Sequence, residues 1–311
     1  MPREGLLQLV PLAKAAEGAK AGPRDGGMHS GERRMNADVF ELELFGGTIE
    51  QRFRRMRPEV ESMPWNTLDL SGAGEADLLA ARKAWTSAAY QEHRTGAACA
   101  LTLRALIEAR APLDLIAVAT RFPLDEMVHV ELCARLAMAY GGGTEIIHDP
   151  KAMILDPDPN SSPLLQAADC VVRFFCVGEA ISIPLLRGTW HAAKHPLPKA
   201  ILGRIVKDEA AHGIFGFTFL DWASDLLSEQ DRAVLGDSAD RAIRFLQSQW
   251  QELAAHRNEP RHESDVLGWM QTGEYLELAE RSLQTHVIAP LTARGIPISP
   301  DLQRPAAPAS A

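Results

Sequence analysis

Cysteine is scarce in this chain: four residues in 311 (Cys99, Cys133, Cys170, Cys176), with no Cys-x-x-Cys pair among them. That spacing excludes a thiolate zinc site or a dithiol redox motif. All four lie in apolar helical stretches, where a thiol serves as a small hydrophobe, so nothing calls for an oxidising compartment. Long apolar runs are missing as well. Arg104, Arg173 and Glu179 interrupt the longest candidates, and Leu6 to Val10 is too short for a secretory signal, so neither a membrane span nor export is expected. An excess of basic charge is also absent. Lys+Arg number 32 against Asp+Glu 41, a net charge of −9 that argues against a nucleic-acid partner. Aromatic residues make up only 6% of the chain, and neither a strand pattern nor a solenoid repeat stands out. The expectation is a soluble, cytoplasmic, helical protein.

With 46% apolar residues the chain has enough material for a sizeable core. Residues 1–35, rich in Gly, Ala and charge, are expected to be disordered, and 36–74 to form an irregular arm. A long helical pattern runs from about Glu75 to Arg110, and Ala111-Pro112 ends it. Pro112 then opens a second helix, about 112–140, bent by Pro123 and stopped by Gly141-Gly142-Gly143. A Gly- and Pro-rich crossover over 141–163 leads to a third helix, about Pro163 to Arg187. Gly188 to Pro198 turns the chain into a fourth, about Lys199 to Leu227. The pattern divides the chain into a bundle over 75–227, accessory helices over 228–296 and a disordered tail over 297–311. The accessory helices, with Trp250 and Trp269, are expected to cover the bundle or to form a homodimer surface.

One pattern occurs twice: Asp125-Glu126-Met127-Val128-His129 and Asp208-Glu209-Ala210-Ala211-His212. Each places a carboxylate and an imidazole three residues apart, on one face of a helix. Singly, such a triple reads as a solvated face. Twice, each preceded by Asp, it matches how helix bundles build dinuclear metal sites, from two Glu-x-x-His pairs plus one Glu from each of two other helices.

Level along the bundle selects the two missing glutamates. Glu179 lies 14 residues before a turn centred near 193 and Glu209 lies 16 after it. At helical rise these are roughly 21 and 24 Å from the turn, which is level. Glu179 is also the only acid between Val171 and Leu186, and a lone carboxylate in that apolar stretch is costly unless paired or metal-bound. In the first hairpin Glu126 lies 15 residues beyond position 111 and Glu92 lies 19 before it, a looser match. Glu108 sits too near the turn and reads as a solvated helix end, and His93 points about 100° away from Glu92.

Four carboxylates and two imidazoles (Glu92, Glu126, His129, Glu179, Glu209, His212) form a hard oxygen–nitrogen donor set suited to two divalent iron or manganese ions. Four negative charges against two divalent cations leave a neutral site that tolerates burial. Asp125 and Asp208 are placed to accept hydrogen bonds from the ligand imidazoles. Gly96 and Cys99, among the small residues that follow Glu92, would either leave a substrate cavity beside the metals or serve close helix packing, and Phe175 and Cys133 are further candidates for its lining. Arg173, a single cation in an apolar helix, reads as a structural ion pair or as an anchor for a substrate carboxylate or carrier phosphopantetheine.

On Glu92, Glu126/His129, Glu179 and Glu209/His212, the chain over about 75–227 resembles the ferritin-like di-iron carboxylate superfamily. The resemblance implies an all-α, ferritin-like four-helix bundle with a long crossover between its second and third helices and additional C-terminal helices. It also implies two iron ions (Fe/Fe, or Mn/Fe) and O2 as cofactors. The activity it implies is hydroxylation, N-oxygenation or desaturation of a small organic or carrier-protein-bound substrate, with electrons from an external reductase or ferredoxin. Asp before both Glu-x-x-His motifs is similar to the bacterial multicomponent monooxygenase hydroxylases. Cys133, one turn after His129, stands where the ribonucleotide reductase small subunit has its radical Tyr and where methane-monooxygenase-like hydroxylases have Cys. In size the chain is similar to the stand-alone arylamine N-oxygenases, but their extra His ligand is Ile205 here. The alternative readings are a ferroxidase or manganese–iron ligand-binding oxidase without an organic substrate, or a scaffold with degenerate ligands in which Glu179 is neutral or paired with Arg173.

Overall fold

The computed structural model describes residues 38–150, 154–255 and 267–303. Among them 72% are helical and 2% are in strands, so the protein is predominantly α-helical. No helix among the described residues is long and apolar enough to cross a membrane. The expected disordered segment 1–35 lies outside the described residues, as do residues 304–311 of the tail.

The arm begins with β1 (Asp38–Val39), followed by α1 (Gly47–Met56) and α2 (Pro58–Glu61). Arg57, between the two helices, is fully buried. It pairs with Glu61 (2.6 Å) and with Glu131 (2.7 Å), and lies over the Phe53 ring. A buried guanidinium needs such partners, and this one ties the arm to the core. The helix α3 (Glu75–Glu108) opens with Glu75 and Asp77 against its positive end. It closes on Arg110, a left-handed residue (φ 54°) after which the Ala111 amide bonds back to the Leu106 carbonyl. The expected second helix is two pieces, α4 (Leu113–Ala119) and α5 (Phe122–Ala139). Pro123 sits in the first turn of α5, where its missing amide costs nothing, so the expected bend is a full break. Gly141 (φ 113°) ends α5 as anticipated, with the Gly142 amide reaching the Ala137 carbonyl.

The crossover carries β2 (Ile147–His148), which pairs antiparallel with β1, a two-residue ladder too short to show as a strand pattern. One long helical rod follows, built from α6 (Pro163–Cys170), a π-helical stretch Val171–Glu179 and α7 (Ala180–Ala192). Ser162 caps it by accepting from the Leu165 amide. The rod overruns its expected end at Arg187 because Gly188 is a packing residue, not a stop: a Cβ there would lie 2.5 Å from Leu278 Cδ2 and 2.9 Å from Met270 Sδ. The next helix, α8 (Pro196–Ala223), starts three residues earlier than expected, with prolines in its first turn. Then come α9 (Glu229–Ala254) and a second rod made of α10 (Thr272–Ser282), a π-helical stretch Leu283–Ile288 and α11 (Ala289–Ala293).

Helix α3 packs along α5, and the α6–α7 rod along α8. Helix α9 covers the π-helical stretch and α10 covers α7. Residues 297–303, expected to be disordered, are packed: Ile298 and Leu302 are buried, and the Ser299 amide donates to Asp240 (3.1 Å). The apolar interior falls into two clusters. One holds Cys99, Phe122, Phe175, Phe215 and the inner faces of α9 and α10; the other holds Trp85, Ala89, Cys133, Leu197 and Ile205. In α3, α5 and α8 the chain passes from one cluster to the other over about 89–99, 122–128 and 205–215.

Close contact between the π-helical stretch and α8 depends on Gly216, where a Cβ would lie 2.8 Å from Cys176 Sγ and Phe175 Cβ and 3.0 Å from the Cys176 amide nitrogen. Because one of these atoms is backbone, Gly216→Ala should cost about 1–3 kcal/mol of stability by overpacking. Equilibrium denaturation checks this, and a loss below about 0.5 kcal/mol would mean that the two elements separate freely.

Candidate metal centre

The seam between the two apolar clusters is filled by the predicted ligands. Glu126, His129, Glu179, Glu209 and His212 are buried, and Glu92 is mostly so. Helix α3 supplies Glu92, α5 supplies Glu126 and His129, the end of the π-helical stretch supplies Glu179, and α8 supplies Glu209 and His212. A π turn adds one residue to a helical turn and is a frequent device for placing a functional side chain.

The six side chains form two groups, Glu92, Glu126, His129 and Glu209, and Glu126, Glu179, Glu209 and His212; within each, one donor atom from every residue lies within 4.8 Å of the others. Glu126 and Glu209 belong to both. Glu209 presents Oε1 to His129 Nδ1 (3.2 Å) and Oε2 to His212 Nδ1 (3.1 Å). Glu126 presents Oε1 to His212 Nδ1 (3.1 Å) and Oε2 to His129 Nδ1 (3.6 Å). Glu92 Oε2 stands 3.6 Å from His129 Nδ1, and Glu179 Oε1 stands 4.0 Å from His212 Nδ1. Either group could hold a metal ion, and Glu126 and Glu209 are common to both.

Several of these atoms have no hydrogen-bond partner: both oxygens of Glu126, Glu209 Oε2, Nδ1 of His129, and both ring nitrogens of His212. Buried polar atoms are almost always satisfied, so a convergent set of orphans fits a ligand that takes lone pairs. The imidazoles are aimed by crossed partners. His129 Nε2 faces Asp208 Oδ2 at 3.3 Å, and His212 Nε2 faces Asp125 Oδ2 at 3.8 Å. In His129 a proton held on Nε2 toward Asp208 leaves the Nδ1 lone pair pointing inward. Phe122 packs on the His212 ring with centroids 4.2 Å apart, backed by Phe175 and Phe215.

The other sequence-derived candidates divide. Cys99 and Cys133 are buried core thiols, one in each apolar cluster; burial pushes both thiols up, with the nearby carboxylates adding to it, so they stay neutral. Phe175 is a packed aromatic beside His212. Gly96 opens no cavity: a Cβ there would lie 2.5 Å from Met127 Cε and 3.2 Å from Glu126 Cβ, so glycine lets α3 approach α5 next to a ligand. Arg173 is not at the site. It bonds Asp169 (2.8 Å) and the Leu155 carbonyl (2.9 Å) and covers the Phe174 ring, so it neither anchors a substrate here nor neutralises Glu179. Glu108 pairs with Arg104 in solvent, as a helix end should. His93 turns away from the ligands onto Phe40.

Two residues escaped the sequence reading. Arg121 donates to Asp125 (3.0 Å) and stands 3.7 Å from Asp208, while Arg204 pairs with Asp208 and with Glu59 of α2 (2.7 Å). Each lies four residues before its Asp, so the repeated pattern is Arg-x-x-x-Asp-Glu-x-x-His, a signal present in the sequence all along.

Models of known protein families give no match to this chain, and a search of curated proteins gives none either. The site therefore rests on its own geometry.

Without a cation, the cluster neutralises itself with protons. Burial lifts Glu92 to about 8 and carries Glu179 well above the carboxylate range, with neighbouring carboxylates adding to both. Burial works against the charged imidazoles, but Asp208 and the glutamates around His129 hold its proton well above the usual range. Asp125 and the same glutamates push His212 up to about 12 against that same penalty. Protons on Glu92, Glu179, His129 and His212 thus carry the four positive charges that two divalent ions would bring.

All four groups bind protons more tightly folded than unfolded, so each contributes stability at low pH that is lost as pH rises towards its folded value. For Glu92 the window is about 4.5 to 8, and for His212 about 6.5 to 12. Asp125 and Glu209, whose values are lowered despite burial by imidazole and guanidinium contacts, lose their contribution only in acid. Chelator-treated protein should therefore melt at progressively lower temperature between pH 6.5 and 8. Protein loaded with a divalent ion should not, because the ion displaces those protons and binds more tightly as pH rises. Calorimetry in both states tests this; a flat or rising melting temperature for the chelated protein would contradict it.

Proposed function

We propose that the cluster holds two iron ions in a ferritin-like four-helix bundle of α3, α4–α5, the α6–α7 rod and α8. On this reading the protein is a non-haem di-iron oxygenase or oxidase acting on a small organic or carrier-bound substrate. The observation that carries the reading is the pair of shared carboxylates: Glu126 and Glu209 each turn one oxygen to each half of the site. A single-ion site needs no such sharing. Hard oxygen donors with one imidazole per position favour iron or manganese over zinc in a thiolate setting or soft copper, so a mixed manganese–iron pair suits the same donors.

When bound and reduced, an iron pair of this kind supplies the electrons that activate O2. The residues around it have separable tasks. Asp208 holds a proton on His129 Nε2 and so fixes that ring, while Asp125 faces His212 Nε2 as its charge partner at 3.8 Å. Phe122, Phe175 and Phe215 close the His212 side to water with rings packed edge-on and tilted against one another. Electrons for repeated turnover come from a separate reductase or ferredoxin. The covering of the bundle by α9 and α10 supports an enzyme over a bare four-helix iron store.

Purified protein reconstituted anaerobically with Fe(II) should bind about two ions per chain. Glu179→Ala and His212→Ala should each lower that to about one, and on admission of air the loaded protein should consume O2. One zinc ion, or no metal, with no change in either variant would overturn the dinuclear reading. Continuous conversion of added Fe(II) to ferric mineral would favour a ferroxidase over an oxygenase.

A further inference from the structure

We infer that Arg121 and Arg204 are positioning residues that set the two halves of the metal centre separately, Arg204 for one half and Arg121 for both. The inference rests on the dinuclear reading and adds to it an assignment of which guanidinium serves which half.

The wiring is unequal. Among the described residues Arg204 reaches the centre through Asp208, whose carboxylate faces His129, the imidazole of the Glu92 half. Its other hand is on Glu59, so α2 of the arm fixes the guanidinium from outside. Arg121 holds Asp125 with its Nε, and Asp125 faces His212 in the Glu179 half. Its Nη2 also stands 3.7 Å from Asp208, so the same residue touches the Glu92 half. Arg204 is nearly buried, whereas the Arg121 side chain is 65% exposed. A surface arginine would ordinarily be a weak partner, but here both carboxylates it meets are buried, Asp208 in hydrogen-bond contact with His129 Nε2 (3.3 Å) and Asp125 facing His212 Nε2 at 3.8 Å.

Positioning and simple charge make opposite predictions. A guanidinium near a cation site repels the cation, so if its charge were all that mattered, its removal would tighten metal binding. If it holds a carboxylate that aims a ligand, its removal should weaken binding, and loss of such an outer contact typically costs 10–100-fold in metal affinity.

The test is titration with Co(II), whose visible absorption bands report ligand geometry, in full-length protein carrying one functional half at a time. His212→Ala leaves the Glu92 half intact, and His129→Ala leaves the Glu179 half. In the first background Arg204→Met should weaken Co(II) binding roughly 10–100-fold and shift the bands. In the second it should leave both unchanged. Arg121→Met should weaken binding in both backgrounds, and Arg204→Lys should restore part of the loss in the first. Circular dichroism and thermal melting confirm that each variant is folded. Should Arg204→Met fail to fold, Glu59→Gln, which loosens the same guanidinium from outside, is expected to give a smaller loss confined to the Glu92 half. Tighter or unchanged binding in the Arg variants, or equal effects of Arg204→Met in both backgrounds, would overturn the inference. A parent protein that binds fewer than two Co(II) ions would instead overturn the dinuclear reading.

Discussion

Four carboxylates sit together in the interior of this protein, and everything around them is arranged to make that tolerable. Taking an ionised carboxylate out of water costs several kcal/mol even after the protein relaxes. Two imidazoles three residues from Glu126 and Glu209 supply part of the compensation, and two aspartates and two arginines outside them form a balanced second layer. What remains beyond the two imidazolium charges is a demand for two more, met by protons on Glu92 and Glu179. No rearrangement of the apolar clusters could remove that demand, so the ionic seam is a fixed boundary condition for the packing on either side.

The packing answers with stiff elements. Helix α3 runs unbroken for 34 residues past the site, and the break before α5 lets Phe122 begin a fresh turn four residues before Glu126. The π-helical stretch turns the Glu179 carboxylate inward while Cys176 and Phe175 stay against Gly216. The arm then adds a restraint from the side, since the buried Arg57 grips Glu131 only two residues beyond a ligand histidine. Rigid placement of donors is what separates a metal site from a collection of acids.

Much of this was legible in the sequence, and the exceptions are physical. Helical spacing alone put Glu126 with His129 and Glu209 with His212, and the rise per residue was enough to select Glu179 and Glu92, because distance along a helix is a local property. Glu179 stood out because burial of a lone acid is improbable without a partner. Arg173 looked equally anomalous by that rule, yet its partner Asp169 lies on the preceding turn of the same rod, a pairing that spacing also allows. Gly188 read as a stop, and Gly96 stayed open between a cavity and close packing, because a sequence does not show what a glycine touches; both are points of close approach. The grip of Arg57 on Glu131, 74 residues away, and the seating of Ile298 and Leu302 depend on tertiary contacts that no local pattern encodes. Arg121 and Arg204 were readable at four residues before each Asp, had the repeat been extended upstream.

The crossed aspartates have a mechanical consequence. Each imidazole belongs to one helix and leans on a carboxylate of the other, so α5 and α8 are joined by two struts running in opposite senses. Sliding one helix along the other by a single residue, about 1.5 Å, would disturb both struts at once. The pair therefore acts as a vernier for the axial register between two helices far apart in the chain. Axial shear between α5 and α8 is then a deformation that both contacts oppose.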